Sequence, residues 1–185
     1  MSGPKSFIIG LSAIVLTGFC QGAEMVEIAI YNGEGAVLAG DVAGGLKDLF
    51  RSFTMIDDLG RLEDFYRNGG RILIVPGGYT EKIALDWGEE GIEAIREFVK
   101  KGGAYIGICA GAYLAAETVE IGRKPPGLDL LPVEITRRSG LKIITIRPAD
   151  PDDPLVRNCP EEIRIWYQNG PLMEAKDGVR VSAVF

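Results

Sequence analysis

The stretch Ala104-Tyr105-Ile106-Gly107-Ile108-Cys109-Ala110-Gly111-Ala112-Tyr113-Leu114-Ala115-Ala116 decides the fold. Its first five residues are a short apolar run of the kind that forms a strand covered on both faces. The residues after Cys109 are small and helix-compatible. A strand that turns into a helix through one cysteine, with Gly107 and Gly111 two positions to either side, describes a nucleophile elbow with sulfur in place of a hydroxyl. Such a turn strains the backbone of its central residue and tolerates only small neighbours. The plainer alternative is that Cys109 is a small buried hydrophobe, the usual fate of a free cysteine.

The same alternation extends upstream. Val26–Tyr31 reads as a strand ending in the turn Asn32-Gly33-Glu34-Gly35. Ala36 to Phe53 carries an apolar helical face (Val42, Leu46, Leu49, Phe50) that Gly40, Gly44 and Gly45 weaken. Phe53–Ile56 is a short strand, Leu59–Tyr66 a short helix or loop, and Arg71–Val75 a buried strand that breaks at Pro76-Gly77-Gly78. Gly88 to Lys101 places Ile92, Ile95, Phe98 and Val99 on one helix face and stops at Gly102-Gly103. Strands alternating with helices imply right-handed crossovers and an α/β three-layer sandwich with a mainly parallel sheet. The tail differs: Leu141–Ile146, Ile163–Tyr167 and Val179–Phe185 read as strands separated by turn-rich segments.

The chain has 185 residues, which is one domain in size. With 46 % hydrophobic and 25 % charged residues it is neither a disordered polyelectrolyte nor a fibre. The 20 Lys and Arg stand against 26 Asp and Glu, without a basic stripe, so nucleic acid is not expected as a partner. There is no histidine, so the chain holds neither a Cys-His nor a Ser-His-Asp pair, and no histidine-based metal site. No Cys-x-x-Cys spacing occurs, and no metal or cofactor is expected. Cys20, Cys109 and Cys159 are too few and too scattered for a disulfide scaffold.

Residues 1–24 read as a signal peptide or membrane leader, and 25–185 as the domain. Lys5 is the only charge before Glu24, and the apolar run Phe7–Phe19 ends in small residues. The run is short for a spanning helix, which needs about 20 residues. The alternative is a first strand or helix of the domain. Phe19 stands before Cys20 where a lipoprotein anchor requires a small residue. The expected location is outside the cytoplasm or anchored at a membrane if the leader functions, and cytoplasmic otherwise.

Ligands of a parallel α/β sheet gather at the carboxyl ends of its strands. Three such ends are unusual: Asn32-Gly33-Glu34-Gly35, Pro76-Gly77-Gly78-Tyr79 and Gly107 to Ala112. The helix after Cys109 would aim its free N–H groups at the sulfur and favour thiolate. The Ala110 amide would face an oxyanion at the attacked carbon. A second donor would come from Gly77-Gly78, where missing side chains let the backbone approach.

Pro76-Gly77-Gly78, the run from Gly102 to Tyr113, and Tyr31-Asn32-Gly33 together resemble the class I glutamine amidotransferase superfamily. Within it they are similar to the branch found as the N-terminal domain of some biotin–protein ligases. Trp166-Tyr167-Gln168-Asn169-Gly170-Pro171 is similar to that branch's aromatic-Gly-Pro segment. The resemblance covers about residues 26–185. It implies a flavodoxin-like sheet, a cysteine nucleophile, thioester chemistry on an amide, and ammonia release. It also implies a His and a Glu well beyond the cysteine, and this chain has no His; either the triad is missing or the chain is truncated before it. Glu34, at the end of the first strand, is expected either to share a hydrogen bond with the sulfur or to be a solvated loop acid. Asn32, Gly33, Gly77, Tyr79, Tyr113 and Gln168 are the candidate pocket residues. Three functions remain open: a cysteine hydrolase or amidotransferase-like enzyme acting on a small-molecule or peptide amide, a non-catalytic binding module that kept the pocket, and a thiol redox sensor.

Overall fold

The structure, a computed structural model, describes residues 8–9, 11–14, 27–47, 52–116, 127–137 and 140–185. Its strands are β1 (Ile8–Ile9), β2 (Leu11–Ile14), β3 (Glu27–Tyr31), β4 (Phe53–Ile56), β5 (Gly70–Val75), β6 (Ala104–Ile108), β7 (Val133–Arg137), β8 (Leu141–Pro148), β9 (Ile163–Gln168), β10 (Pro171–Ala175) and β11 (Ala183–Val184). The helices are α1 (Ala39–Leu46), α2 (Leu62–Arg67), α3 (Thr80–Lys100) and α4 (Ala110–Ala115).

The central sheet has the order β2-β6-β5-β3-β4. Its β6, β5, β3 and β4 run parallel, and β2 pairs antiparallel with β6. Of the segment 1–24, only β1 and β2 are described; the rest of the expected leader lies outside the described residues. Among the described residues no helix is long and apolar enough to cross a membrane.

Side chains alternate across the parallel strands, as the pleat requires. Ile28, Ile30 and Ile74 face α1 and pack with Ala39 and Val42. Ala29, Tyr31, Leu73, Val75 and Tyr105 face the other way, onto Leu62, Ile83, Ile95, Phe98 and Leu114 of α2, α3 and α4. Burying each such Ile, Leu or Val stabilises the fold by about 1.5–3 kcal/mol. Both faces are covered, and this is why these strands read as continuous apolar runs rather than as alternating ones.

Three expectations are corrected. The helix expected from Gly88 begins at Thr80, and Gly88 is a break inside it (φ 56°, ψ −169°). Ile83, Ala84 and Trp87 are buried on the same side as Ile92, Ile95 and Phe98, so packing carries one apolar face across the break. The strand expected over Val179–Phe185 shrinks to β11, paired with Arg147 and Pro148 of β8. The helical pattern of Ala36 to Phe53 yields α1 only over Ala39–Leu46, with residues 48–51 outside the described residues. At its end α3 stops as Gly102-Gly103 predicts: the Gly103 N–H donates to Phe98 O (2.9 Å) and the Gly102 N–H to Val99 O (2.9 Å), with Gly102 at φ +102°.

The tail adds two antiparallel sheets, β1-β10-β7 and β11-β8-β9. Asp153 ties the second together. It is fully buried, accepts from Leu155 N (2.9 Å) and Ser182 Oγ (2.8 Å), and pairs with Arg180 (3.2 Å).

Candidate active site

The parallel registers bring three strand ends to one edge. Ile30 lies opposite Ile74, and Val75 opposite Gly107. The chain leaves β6 at Ile108, turns at Cys109 and enters α4 at Ala110. Cys109 holds φ 52°, ψ −102°. For a residue with a side chain this conformation costs about 1–3 kcal/mol, and it persists where surrounding packing enforces it. Here the packing is visible. A Cβ on Gly107 would lie 2.5 Å from Gly111 C and O, and one on Gly111 would lie 2.2 Å from Val75 O. The Tyr105 hydroxyl donates to Gly111 O (2.8 Å) in a fully buried position. Tyr113 N donates to Cys109 O (3.0 Å) and closes the first turn of α4.

The Cys109 thiol is partly buried and free of disulfide bonding. The backbone N–H groups of Ala110 and Gly78 act on its sulfur and favour the charged form. Burial is nevertheless the largest influence, and it pushes the thiol's pKa up against both amides. The expectation of a favoured thiolate is therefore corrected. A helix N-terminus lowers a thiol pKa and apolar burial raises it; here the half-enclosed sulfur loses more hydration than two amides return.

The loops after β3 and β5 are stitched together around Gly78. Leu38 N donates to Gly77 O (3.0 Å), and Tyr79 N and Val37 N both donate to Gly35 O (2.9 Å each). A Cβ on Gly78 would sit 1.9 Å from Gly35 O, and one on Gly77 would sit 3.2 Å from Cys109 Cβ and 2.9 Å from Leu38 Cδ1. Only glycines let these loops meet each other and the cysteine. Leu38, absent from the sequence reading, packs over Gly77 on the same side as Cys109 Cβ.

Not every expected residue is brought there. Glu34 is exposed, and its carboxylate faces Lys82 (3.5 Å) rather than the thiol; the solvated loop acid is the alternative the structure takes. Tyr79 is 63 % exposed, with Lys82 Nζ 5.7 Å from its ring centroid. Asn32 is exposed, and its N–H donates to Ile56 O (2.7 Å). Gln168 is exposed on β9 opposite Leu141. Its segment does reach α4, through the next residue: Tyr113 Oη donates to Asn169 O (3.2 Å). Gly33 lies over a pair the sequence did not disclose. The buried Tyr31 hydroxyl donates to Asp86 Oδ2, and the Glu34 N–H donates to the same oxygen (3.2 Å). Burial first, and then Asp86, hold the Tyr31 hydroxyl well above the usual tyrosine range. Residues 55 positions apart leave no local signal of such contact.

Chemically, the corner sets one thiol beside the backbone N–H groups of Ala110 and Gly78. It offers no titratable base at the sulfur among the described residues, and among them no group of three metal-ligating side chains stands together.

The family model described as the N-terminal region of biotin–protein ligase matches residues 26–132. A biotin–protein ligase of Schizosaccharomyces pombe is 37 % identical over 59 residues, covering 32 % of this chain and 9 % of the relative. The HisH subunit of imidazole glycerol phosphate synthase from Moorella thermoacetica is 31 % identical over 107 residues, covering 54 % of this chain and 51 % of that protein. The chain thus spans only a minor part of the first of these curated relatives and about half of the second. Among solved structures, a glutamine amidotransferase from Thermotoga maritima superposes with a TM-score of 0.56 at 15 % identity, over 86 % of this chain and 67 % of that one. At that identity the likeness concerns the fold.

Proposed function

Since the chain belongs to the biotin–protein ligase N-terminal family, we propose that it is an amidotransferase-like domain in which Cys109 accepts the acyl group of an amide or peptide. The amidotransferase-like fold is common to it and to its structural relatives. The observation that carries the proposal is the convergence of the Ala110 and Gly78 N–H groups on a strained, partly accessible sulfur. Those donors suit the oxygen of a carbonyl under attack, where one such donor contributes about 10²–10³ in rate.

The sequence of events is simple. Hydroxide or solvent removes the thiol proton, because no side chain among the described residues is placed to do so. The thiolate attacks the carbonyl carbon, a C–S bond forms, and the C–N bond breaks as the amine leaves with a proton from water. Water then cleaves the thioester, which releases a carboxylic acid and restores the thiol. A histidine-free chain with a raised thiol pKa carries this out slowly near neutral pH and faster as pH rises. Of the two readings of residues 1–24, the pairing of β1 with β10 and of β2 with β6 favours a first strand of the domain over a leader.

The absent histidine and the raised thiol pKa also favour a second reading, a module that binds an amide or carboxylate at the same corner without turnover. One experiment separates the two. The protein is treated with p-nitrophenyl acetate across alkaline pH, and the adduct is located by peptide mass mapping. Acyl transfer predicts one acetyl group on Cys109, faster with rising pH and absent in Cys109→Ser. Absence of a Cys109 adduct at every pH where the chain is folded would overturn it in favour of binding alone.

A further inference from the structure

The geometry points to Asp86 as the positioning residue that aims the Gly78 amide at the Cys109 sulfur, acting through Tyr31 and the Gly33–Gly35 turn. The inference rests on the reading of Gly78 as a donor at the site. Asp86 lies on α3, and a single oxygen of it holds two groups: the hydroxyl of Tyr31, the last residue of β3, and the N–H of Glu34 in the turn that follows. Gly33 closes over that junction so tightly that a Cβ would be 2.2 Å from Tyr31 Oη and 2.4 Å from Asp86 Oδ2. The turn is therefore clamped to the helix. Its next residue, Gly35, lies on the start of the same helix, where its Cβ would be 2.8 Å from Ile83 N.

From Gly35 the constraint passes directly to the site. Gly35 O accepts Tyr79 N–H, and Leu38 N–H donates to Gly77 O, so the peptide units on both sides of Gly78 are fixed by the loop that Asp86 holds. Gly78 lies between these two bonds and next to Gly77, whose Cβ position is 3.2 Å from Cys109 Cβ, and its N–H acts on the sulfur. If Asp86 released Tyr31 and Glu34, the loop would keep its bonds to Tyr79 and Gly77 and the Glu34–Lys82 ion pair, but would lose the two hydrogen bonds that hold β3 and its turn to the middle of α3. The amide would then lose its fixed direction.

The test uses the full chain with Cys20→Ser and Cys159→Ser, so that Cys109 is the only thiol. Its alkylation by iodoacetamide is followed from neutral to alkaline pH. The Gly78 N–H opposes the effect of burial on the thiol, so Asp86→Ala is expected to move the midpoint of the profile upward. A tenfold loss of thiolate is partly offset by greater intrinsic nucleophilicity, so the rate on the neutral side falls about threefold. Asp86→Asn keeps an acceptor oxygen and restores most of the rate. Tyr31→Phe moves the midpoint the same way, and serves if Asp86→Ala does not fold. Phe98→Leu, a core change near the far end of α3 that packs on Phe65 and Tyr66, lowers the melting temperature and leaves the midpoint in place. A wild-type midpoint in both Asp86→Ala and Tyr31→Phe would overturn the inference, as would an equal shift in Phe98→Leu. Loss of acyl transfer in the unmutated protein would sink the acyl-transfer reading and leave this measurement standing.

Discussion

Gly111→Ala is expected to cost about 3 kcal/mol of stability or more, a large part of the 5–15 kcal/mol available to a domain. The new methyl group would lie 2.2 Å from Val75 O and 2.9 Å from Val75 C. Both are backbone atoms inside the parallel sheet, and neither can swing aside as a side chain could. α4 must therefore lift off β5. That movement also draws Gly111 O away from the Tyr105 hydroxyl, which is buried and hydrogen-bonded to it at 2.8 Å. An unpaired buried hydroxyl costs a further 1–3 kcal/mol or so. Urea unfolding followed by circular dichroism measures the loss. Gly40→Ala is the internal control. It lies in α1 with nothing within 4 Å of its Cβ position, and a gain of up to about 1 kcal/mol is expected there from helix propensity. A Gly111→Ala protein as stable as wild type would mean that the β6–α4 corner is looser than described.

Gly78→Ala is expected to act on chemistry more than on stability. Its Cβ would lie 1.9 Å from Gly35 O and 2.8 Å from Val37 N. These atoms belong to a surface loop, which can move away. Doing so breaks the Tyr79 N–H bond to Gly35 O and turns the Gly78 amide off the sulfur. Removing one donor of this type lowers acyl transfer by about 10²–10³, so acetylation of Cys109 by p-nitrophenyl acetate should fall by that factor. A variant that acetylates at the wild-type rate would show that Gly78 is no donor in the reaction.

The parts of the fold that were legible in the sequence are those with local signals. β3, β5 and β6 are short apolar runs that stop at Asn32-Gly33, Pro76-Gly77 and Cys109, and Cys109 lies between Gly107 and Gly111. Those glycines are forced by close approach, which is why composition alone exposes them. Pairings between distant segments were not legible. β7 and β10 match five residue pairs across a long separation, and neither strand has a turn signal that announces its partner. Asp86 falls before the helix expected from Gly88, and nothing near it in sequence reveals Tyr31. Glu34 shows the limit of proximity in sequence: closeness to a strand end left both the sulfur and the solvent open, and the structure takes the solvated alternative, with Lys82 on α3 beside its carboxylate. The direction of the Cys109 shift was missed for a related reason. Sequence shows a helix starting at the cysteine but not how much of the sulfur the two glycine loops enclose.

The central claim is that an accessible Cys109 sulfur meets two backbone amides yet stays protonated because it is half-enclosed. The direct measurement is the rate of Cys109 alkylation by iodoacetamide against pH in the otherwise unmodified chain, with each cysteine resolved by peptide mapping. The account predicts a rate that climbs with pH to a midpoint above the ordinary thiol value of about 8.5, with the exposed Cys159 reacting faster near neutrality. A midpoint at or below that value would contradict the dominance of burial, and a Cys109 that reacts only once the chain unfolds would contradict the site itself.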